Sequence, residues 1–524
     1  MKKLLLFILI INSFPSSSQV FFQKLFGKIS PAGLMAHSVY QTADGGYVAG
    51  GGTGMAFSYS HAALVKFDSL GNEVWNKIYN PGGSSDISLY ALQANDSGYL
   101  LVGYKHGIDY ELYIIKTDAS GNVLWAKTYG GLYDTDGFSA AQTADGGYVI
   151  AGTADNNGAP VGSLLVKMNA AGNVLWTRLF NDLSSYGVIE TPGGGFVLSS
   201  LSHNVGSFKI GLTKTDSDGN LLWHIFYEGV PTTGTAFSFC RTMDNGFIVA
   251  GHTDSVGAGN NDIVLVKTDS SGNILWSKAY GGAMNELPYC VKELAGGDIV
   301  IAGTSNSFSA SSDVYFLRTD NTGNILWSRT FGDAWHDEVS STAATFQQTS
   351  DSGFVLAYAS DTVGQNLGIS DIFLVKTDAT GFSGCNEGNP TTIVTPLTLL
   401  QMNDSLHSDS LVLTETMQTI TVSSAGTLVS ICESIGIGEA KEETGIDIYP
   451  NPTTGKFTIK NAEFRESQTI EIYNTLSQKV MVVHLPTPNS LLQTGMDISM
   501  LRSGIYFVQA TSGDKIFRGK VVKQ

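Results

Sequence analysis

The chain has 524 residues, of which 60 are glycine and only 15% are charged. This composition argues against a disordered chain and against long helices with charged faces, and it favours a β-rich protein with many turns. The formal net charge of −17 at pH 7 disfavours nucleic acid and anionic membranes as partners, although it permits cation binding.

The first eighteen residues have the pattern of a secretory signal peptide. Lys2 and Lys3 precede an apolar run from Leu4 to Ile11, and small residues at 16–18 come just before residue 19. This run is too short to span a bilayer, and no other apolar run is long enough to do so. We therefore expect an exported, soluble protein without a transmembrane segment, in a compartment where disulfides form.

A repeat dominates residues 19–385. Its most regular copy, DASGNVLWAKTY at 118–129, is a tight D-x-x-G-N turn followed by a strand on which Trp, a basic residue and an aromatic residue alternate. Residues two apart on a strand share a face, so Trp125, Lys127 and Tyr129 lie on one side. The tryptophans of the repeat are Trp75, Trp125, Trp176, Trp223, Trp276 and Trp327. Strand patterning with a period of about 50 predicts the blades of a β-propeller, with these tryptophans packed between blades.

Two further motifs recur in the same repeat and set the number of blades. A turn of the type DGGYV occurs seven times, first at Asp44 and last at Asp351. A buried-looking strand that ends in a basic residue also occurs seven times, at Lys66, Lys116, Lys167, Lys214, Lys267, Arg318 and Lys376. We therefore predict an all-β protein, a seven-bladed β-propeller of four-stranded blades followed by a small C-terminal β-sandwich.

The two ends of the repeat region complement each other. Residues 20–27, VFFQKLFG, match the second half of the repeat with Phe22 in the Trp position, whereas the last copy has Cys385 where the Trp should stand. The first strand should therefore complete the last blade and close the ring, which leaves no long unpaired sheet edge.

The cysteines divide into two pairs. Residues 386–432 leave the repeat and alternate Thr or Ser with aliphatic residues, bracketed by Cys385 and Cys432. A bridge between these two would tie the segment to the last blade and add roughly 3–4 kcal/mol of stability; the alternative is two unpaired thiols. Cys240 and Cys290 hold nearly equivalent positions in successive blades, so we expect them to lie beyond the bridging limit of about 7 Å and to be buried thiols.

A charged linker at 433–445 leads to a compact tail at 446–524, where short alternating segments predict a small β-sandwich. Its motifs, in order, are YPNP at Tyr449, GKF at Gly455, IYN at Ile472, DIS at Asp497, SGIY at Ser503 and a closing Lys520. This series resembles the type A C-terminal sorting domain of the type IX secretion system. The resemblance implies that the type IX secretion machinery is a partner, and that the protein crosses the outer membrane to be released or attached at the cell surface.

The K-x-D-x-x-G-N-x-L-W segments resemble the tryptophan-docking repeats of quinoprotein-like propellers and, more loosely, the Asp-box turns of sialidase-type propellers. A sialidase site needs a cluster of arginines to bind a carboxylate, but the propeller region has only Arg178, Arg241, Arg318 and Arg329, three of them at positions that other repeats fill with Lys. A quinone cofactor needs calcium ligands and a stacking Trp at the ring centre, and blade packing already accounts for all six repeat tryptophans. We therefore expect no cofactor.

Most other polar residues of the repeat also have a structural explanation. The Asp residues of the D-x-x-G turns could be calcium loops, but recurrence in nearly every blade favours a turn, and the spacing of an EF-hand is lacking. The ring of basic residues could be an anion site, but each one is better explained by a stem that covers apolar surface and a head that pairs with a turn Asp. We expect no metal site.

Departures from the repeat are where binding is expected, because loops on a rigid scaffold commonly carry it. Trp335, in GDAWHDEVS, stands beside His336 and Asp337. An aromatic residue next to acids could stack a sugar or mark a metal site, and the alternative is a loop Trp that packs on its own blade.

No nucleophile elbow, Walker A motif, zinc-protease motif or dinucleotide fingerprint occurs in the sequence. We therefore favour a monomeric binding or adhesion module, secreted or held at the outer-membrane cell surface, with an extracellular glycan or protein as ligand. One alternative is an extracellular propeller enzyme that is active on polysaccharide or dependent on a quinone, and another is a purely structural surface-layer component with no small ligand.

Overall fold

The computed structural model describes residues 20–27, 34–53, 61–82, 86–107, 109–202, 208–232, 238–309, 312–332, 345–360, 371–385, 387–403, 406–424, 428–434, 447–460, 468–473, 479–485, 493–501, 504–512 and 515–523. The chain forms two compact units, one at Gln19–Gly436 and one that contains Ile437–Gln524. Among the described residues there is no helix long and apolar enough to cross a membrane. The predicted signal peptide at 1–18 lies outside the described residues.

Seven antiparallel sheets make up the described part of the first unit, and we call them blades 1 to 7. The first strand of the chain, β1 (Phe21–Phe26), belongs to blade 7. Blade 1 consists of β2 (Leu34–Gln41), β3 (Tyr47–Thr53), β4 (Ala62–Phe67) and β5 (Glu73–Asn80). Blade 2 consists of β6 (Asp86–Gln93), β7 (Tyr99–His106), β8 (Tyr110–Thr117) and β9 (Val123–Gly130). Blade 3 consists of β10 (Asp134–Gln142), β11 (Tyr148–Asn156), β12 (Ala159–Met168) and β13 (Val174–Asn181).

The remaining blades follow the same order, from the innermost strand to the outermost. Blade 4 consists of β14 (Leu183–Ser184) and β15 (Val188–Glu190), which both pair with β16 (Phe196–Ser202), then β17 (Phe208–Thr215) and β18 (Leu221–Thr232). Blade 5 consists of β19 (Ser238–Arg241), β20 (Phe247–Thr253), β21 (Asp262–Thr268) and β22 (Ile274–Gly281). Blade 6 consists of β23 (Glu286–Glu293), β24 (Ile299–Ser305), β25 (Asp313–Thr319) and β26 (Ile325–Phe331). Blade 7 consists of β27 (Thr345–Gln348), β28 (Phe354–Ser360), β29 (Asp371–Thr377) and β1.

Successive blades pack face to face, and blade 7 returns to blade 1. The first strand of each blade is the innermost: β2, for example, contacts both β6 and β27. Each hydrophobic core draws on two neighbouring blades, as where Leu64 of blade 1 and Ile115 of blade 2 share one buried cluster. The predicted propeller is confirmed. Its blades pack in a ring because each sheet carries buried aliphatic residues on both faces and therefore needs a neighbouring sheet on each side.

The predicted ring closure is also confirmed. Strand β1 pairs antiparallel with β29, with Phe22 opposite Lys376 and Phe26 opposite Ile372. Phe22 is only 1% exposed and occupies the place that Trp has in other blades, where its ring lies against Gly71 of blade 1.

Residues 387–434 form an encircling segment that the sequence did not predict. It adds one outer strand to each blade, through β30 (Glu387–Gly388), β31 (Ile393–Pro396), β32 (Leu400–Asn403), β33 (Ser408–Asp409), β34 (Thr414–Met417), β35 (Thr421–Ser423) and β36 (Leu428–Ser434). These strands pair in turn with blades 6, 5, 4, 3, 2, 1 and 7. The segment therefore runs once around the propeller, against the order of the blades.

The connections of each blade divide the propeller into two ends. Turns of the DGGYV type join first to second strands, and D-x-x-G-N turns join third to fourth strands, so both kinds lie at one end, which we call the turn end. The opposite end, which we call the loop end, is where second strands end and third strands begin, and where fourth strands end and the next blade begins. The turn end is regular from blade to blade, whereas the connections of the loop end differ in length and sequence.

At the turn end, the fourth strand of each blade contacts the D-x-x-G-N turn of the next blade. The ring of Trp125 lies against Gly172, Lys127 Nζ donates to Asn173 Oδ1 at 2.9 Å, and the Tyr129 hydroxyl donates to the Gly172 carbonyl at 2.6 Å. The other tryptophan contacts of this kind are Trp75 with Gly121, Trp176 with Gly219, Trp223 with Gly272, Trp276 with Gly323 and Trp327 with Gly381. These glycines have positive φ, and a side chain there would meet the indole, so the turn requires glycine twice over.

The acids of the turn end are occupied by their own turns. Asp118 Oδ1 accepts hydrogen bonds from the backbone N–H groups of Ser120 at 2.9 Å and Asn122 at 2.8 Å. Backbone N–H donation by Asn324 in the same way lowers the pKa of Asp320 to about 2. These bonds are what an Asx turn supplies, so the carboxylates stabilise the turns.

The basic residues behave as predicted and pair with turn acids in their own blades. The ion pairs, with their shortest N···O distances, are Lys66–Asp44 at 3.0 Å, Lys116–Asp96 at 2.7 Å, Lys167–Asp145 at 2.8 Å, Lys267–Asp244 at 3.1 Å, Arg318–Asp298 at 2.7 Å and Lys376–Asp351 at 2.9 Å. Blade 4 departs from this pattern, because Gly193 stands where the acid would pair with Lys214.

The second unit has two sheets with one shared core. One sheet has the order β37 (Asp447–Tyr449), β38 (Lys456–Lys460), β41 (Gln493–Asp497), and the other has the order β40 (Lys479–Leu485), β39 (Gln468–Tyr473), β42 (Gly504–Ser512), β43 (Lys515–Lys523). Ile459 of the first sheet and Ile470 and Val508 of the second belong to the same buried cluster. The unit is therefore the small β-sandwich that the alternating segments predicted.

Candidate functional site at the loop end

The predicted site residues Trp335, His336 and Asp337 lie outside the described residues. The strands on either side of them, β26 and β27, end and begin at the loop end of the propeller. A function for these three residues stays a prediction.

A cluster of acids and aromatic rings lies at the loop end where blades 2, 3 and 4 meet, and we call it the Asp136 cluster. Its members are Tyr104, Asp134, Asp136, Phe138, Asp155 and Tyr186. In blade 3, Asp134 is directly opposite Asp155 in the register of β10 and β11. Residues opposite each other and residues two apart on a strand point to the same face, so the three carboxylates share one side of the sheet.

The aromatic members come from all three blades. Tyr186 lies between β14 and β15, and its ring centroid is 4.9 Å from that of Phe138. Tyr104 of blade 2 packs against Tyr110 at 5.3 Å, and the backbone N–H of Tyr110 donates to Asp134 Oδ1 at 2.8 Å. This bond fixes the strand start of blade 3 against blade 2, so the acids are held by neighbouring sheets.

Asp136 is the member with the most altered chemistry. Burial, followed by the charges of Asp155 and Asp134, raises the pKa of its carboxyl group to about 7. One of its oxygens, Oδ1, is buried and has no hydrogen-bond partner among the described residues. After the effect of burial, the charge of Asp136 helps to raise the pKa of Tyr104, and the charges of Asp155 and Asp136 help to raise the pKa of Tyr186.

Such a cluster can bind a neutral polar ligand or exchange a proton with it. A half-buried carboxyl group that titrates near neutral pH can both donate and accept a hydrogen bond, and neighbouring rings offer apolar faces for stacking. Within the described part of the chain, there is no group of three or more His, Cys, Asp or Glu side chains that could hold a metal ion.

Sequence reasoning missed this cluster, although the sequence carried a signal for it. In YDTDG at 133–137, two Asp residues stand two apart at the start of an inner strand, where they must share a face. Asp155 could be added only once the register of β10 and β11 was known.

The inner strands of blades 1 and 2 bring two tyrosines together. The hydroxyl groups of Tyr40 in blade 1 and Tyr90 in blade 2 are 3.2 Å apart. Burial raises the pKa of Tyr40, and so does the nearby Cys290 of blade 6. Groups on blades 1 and 6, which are not neighbours in the ring, are therefore close enough for their charges to interact.

The structure shows the state of two cysteines and leaves the predicted disulfide untested. Cys240 and Cys290 are free thiols, and Cys290 is buried as predicted whereas Cys240 is only half-buried. Burial raises the pKa of Cys240 to about 12. Cys385 is disulfide-bonded. The side chain of Cys432 lies outside the described residues, but its backbone pairs with Gln23, whose Nε2 donates to the Cys385 carbonyl at 2.5 Å. The Cys385–Cys432 bridge stays a prediction.

Comparison with known proteins assigns the second unit. Residues 447–524 match the family described as "Secretion system C-terminal sorting domain". The tail is therefore a type IX sorting domain, as its motifs indicated, and it directs export of the protein. A search of curated proteins finds no match.

Solved structures offer only distant similarity. The GH43_1 enzyme from Xanthomonas citri has 13% identity and a TM-score of 0.29, over 47% of this chain and 89% of that chain. A bifunctional GH43-CE protein from Bacteroides eggerthii has 10% identity and a TM-score of 0.28, over 86% of this chain and 68% of that chain. Similarity at this level carries no argument about function.

Proposed function

We propose that the protein is a binding module for extracellular glycan, carried out of the cell by its sorting domain, and that the Asp136 cluster is its described binding site. The observation that supports this proposal is the combination, in one place, of three carboxylates and three aromatic rings at the loop end. Carboxylates accept hydrogen bonds from sugar hydroxyls, and aromatic faces pack on the apolar faces of sugar rings.

The turn end supports the same proposal by elimination. Its tryptophans lie against the glycines of the next blade, and six of its seven strand-end basic residues form ion pairs with turn acids. Residues already engaged with the fold are poor candidates for ligand contacts, so ligand binding is expected where the repeat is broken.

A glycan array with the mature protein tests the proposal. We expect binding to a restricted set of polysaccharides, with affinity about two- to twelvefold weaker in Tyr186→Ala, because a stacked ring contributes about 0.5–1.5 kcal/mol. Asp218→Asn is the matched control for Asp136→Asn, because Asp218 is an exposed turn-end acid. Silence on the array, or equal binding by Asp136→Asn and Asp218→Asn, would rule out this site.

An enzyme that acts on polysaccharide is the second candidate, favoured by the pKa of Asp136 near 7. A carboxyl group of that kind can serve as a general acid or base. Release of reducing sugar from the glycans that bind would support this candidate. Asp136→Asn should then lower kcat/KM by about 10²-fold or more, whereas binding without any turnover would leave the binding module as the function.

The place of action is also part of the proposal. We place the mature protein outside the outer membrane, either attached at the cell surface or released. Cell fractionation distinguishes the two fates, and deletion of residues 447–524 should retain the propeller inside the outer membrane. Export of the truncated protein at the normal level would contradict the assigned role of the tail.

A further inference from the structure

A second pair of acids is buried at the loop end, between blades 5 and 6. Asp262 begins β21 and is 1% exposed, and Glu286 begins β23 and is 0% exposed. A Cβ atom placed on Gly281 would lie 1.8 Å from Asp262 Oδ1 and 2.6 Å from Glu286 Oε2. The two carboxylates are therefore neighbours, on opposite sides of the junction between two blades.

The described residues around this pair supply hydrogen bonds but no positive charge. Glu286 accepts hydrogen bonds from the Ser305 hydroxyl at 2.6 Å and from the Gly282 N–H at 2.7 Å. Asp262 Oδ2 accepts one from the Gly259 N–H at 3.1 Å. No described Lys, Arg or His forms an ion pair with either acid. Two adjacent buried anions without a counter-charge are strongly unfavourable.

Two oxygens at this junction remain without a partner. Asp262 Oδ1 is buried and has no hydrogen-bond partner among the described residues, and the same is true of Asn261 Oδ1. The amide of Asn261 is oriented by its own Nδ2, which donates to Asn285 Oδ1 at 2.9 Å. Unpaired acceptors beside a buried acid pair favour the binding of a positive group, because acceptors alone cannot satisfy one another.

The equivalent places in other blades separate the structural part of this arrangement from the unusual part. The acid at the start of a third strand also lies against a glycine in blade 2, where Glu111 meets Gly130, and in blade 7, where Asp371 meets Gly27. There, the three atoms nearest to the added Cβ all belong to one acid. At Gly281 a second carboxylate joins the first. The acid–glycine contact is therefore part of the repeat, and the acid pair is a feature of this junction.

We propose that Asp262 and Glu286 bind a calcium ion that joins blades 5 and 6, with the Asn261 side chain as a further oxygen donor. Carboxylate and amide oxygens are the ligands that calcium takes, and its flexible coordination accepts water for the rest of its shell. A shared proton would instead require a hydrogen bond between the carboxyl groups, and Asp262 Oδ1 makes none. Extracellular sites of this kind bind calcium at about 10⁻⁴–10⁻³ M, which suits an exported protein.

Terbium luminescence provides a direct test, because Tyr315 lies close enough to both acids for their charges to act on its hydroxyl group and can transfer excitation to a bound lanthanide. We expect saturable emission at about one terbium ion per chain, displaced by calcium and not by magnesium. Asp262→Asn and Glu286→Gln should abolish this emission, whereas Asp371→Asn, the matched control in blade 7, should retain it.

Thermal unfolding of the wild-type chain gives an independent measurement that requires no variant. Millimolar calcium should raise its unfolding temperature by about 2–4 °C over a chelator, and magnesium should not. The proposal fails if wild-type emission is not saturable, or if emission survives in both Asp262→Asn and Glu286→Gln. It also fails if stability depends on pH near neutrality but not on calcium, since that result identifies a shared proton.

Discussion

The two ends of the propeller are fastened in different ways. At the turn end, side chains of one blade hold a turn of the next, as Trp125, Lys127 and Tyr129 hold the turn at Gly172. At the loop end, the encircling segment pairs with the last residues of the fourth strands of the blades, such as Ile78–Asn80 of β5. The first arrangement repeats the same contact in each blade, whereas the second depends on a segment with no repeat of its own.

The difference also separates structure from function. Polar groups of the turn end are neutralised within the fold, as Lys167 neutralises Asp145. At the loop end, the half-buried Asp136 and the buried Asp262 and Glu286 form no ion pair with a basic residue among the described residues. Chemical reactivity and ligand binding are expected where charges are left uncompensated. Four substitutions can break or sharpen this comparison, and they are ordered by expected effect.

The largest effect is expected from opening the encircling segment. Replacing Cys385 and Cys432 together by Ser should lower the free energy of unfolding by roughly 3–4 kcal/mol, because the closed loop restricts the unfolded chain. Denaturant unfolding measures the loss, and reduction of the wild-type protein should reproduce it. If reduction destabilises the double variant by the same amount, the bridge is not between these two cysteines.

At the turn end, Trp276→Ala should lower the free energy of unfolding by about 3 kcal/mol, because it removes the ring that lies on Gly323 and leaves a cavity between blades. Leu275→Ala is the matched control: its side chain is 56% exposed, and its loss should cost no more than about 0.5 kcal/mol. If urea unfolding gave equal losses of stability for Trp276→Ala and Leu275→Ala, the packing of tryptophans between blades would not stabilise the propeller.

The pH dependence of stability should have opposite signs at the two ends. The pKa of Asp136 is raised to about 7, so its contribution is present below about pH 4 and is lost as pH rises through 7. The hydrogen bonds from Lys167 and then Thr143 lower the pKa of Asp145 to about 2, so its contribution is present above about pH 4 and is lost as pH falls through 2.

Unfolding free energies of Asp136→Asn and the wild-type protein, measured from pH 5 to pH 8, check this prediction. The variant should gain stability relative to the wild-type protein as the pH rises, because the neutral amide cannot ionise. Asp145→Asn should show no such trend over this range. A constant difference between Asp136→Asn and the wild-type protein would mean that Asp136 does not titrate near neutral pH.

The smallest effect should come from completing the turn end. Gly193→Asp would place an acid opposite Lys214, as in the other blades, and nothing lies within 4 Å of a Cβ atom at Gly193. We expect a gain of about 0.5–1 kcal/mol from the lost freedom of glycine and the new ion pair. Gly193→Asn is the control for the first of these contributions, and equal gains in both variants would show that the ion pair adds nothing.

Sequence reasoning reached the regular parts of the fold because a recurring contact leaves a recurring pattern. The packing of Trp on a glycine of the next blade and the Lys–Asp ion pairs repeat a motif, and the pairing of β1 with β29 completes one. The encircling strands escaped prediction because several are only two to four residues long, as with Ser408–Asp409, and pair with distant segments. The Asp136 cluster was missed since its burial and pKa depend on how three blades meet.

The position of β1 has a consequence for how the protein reaches its native state. Gln23 bonds to Ser383, a residue 360 positions away, and the same strand pairs with β36 near residue 434. Contacts between such distant parts of a chain slow folding, because much disorder must be given up before they form. A newly made chain must therefore emerge past residue 377 before its first strand can pair with β29, and almost to the linker before that strand can pair with β36. Until then β1 and β29 expose edges that invite association with other chains.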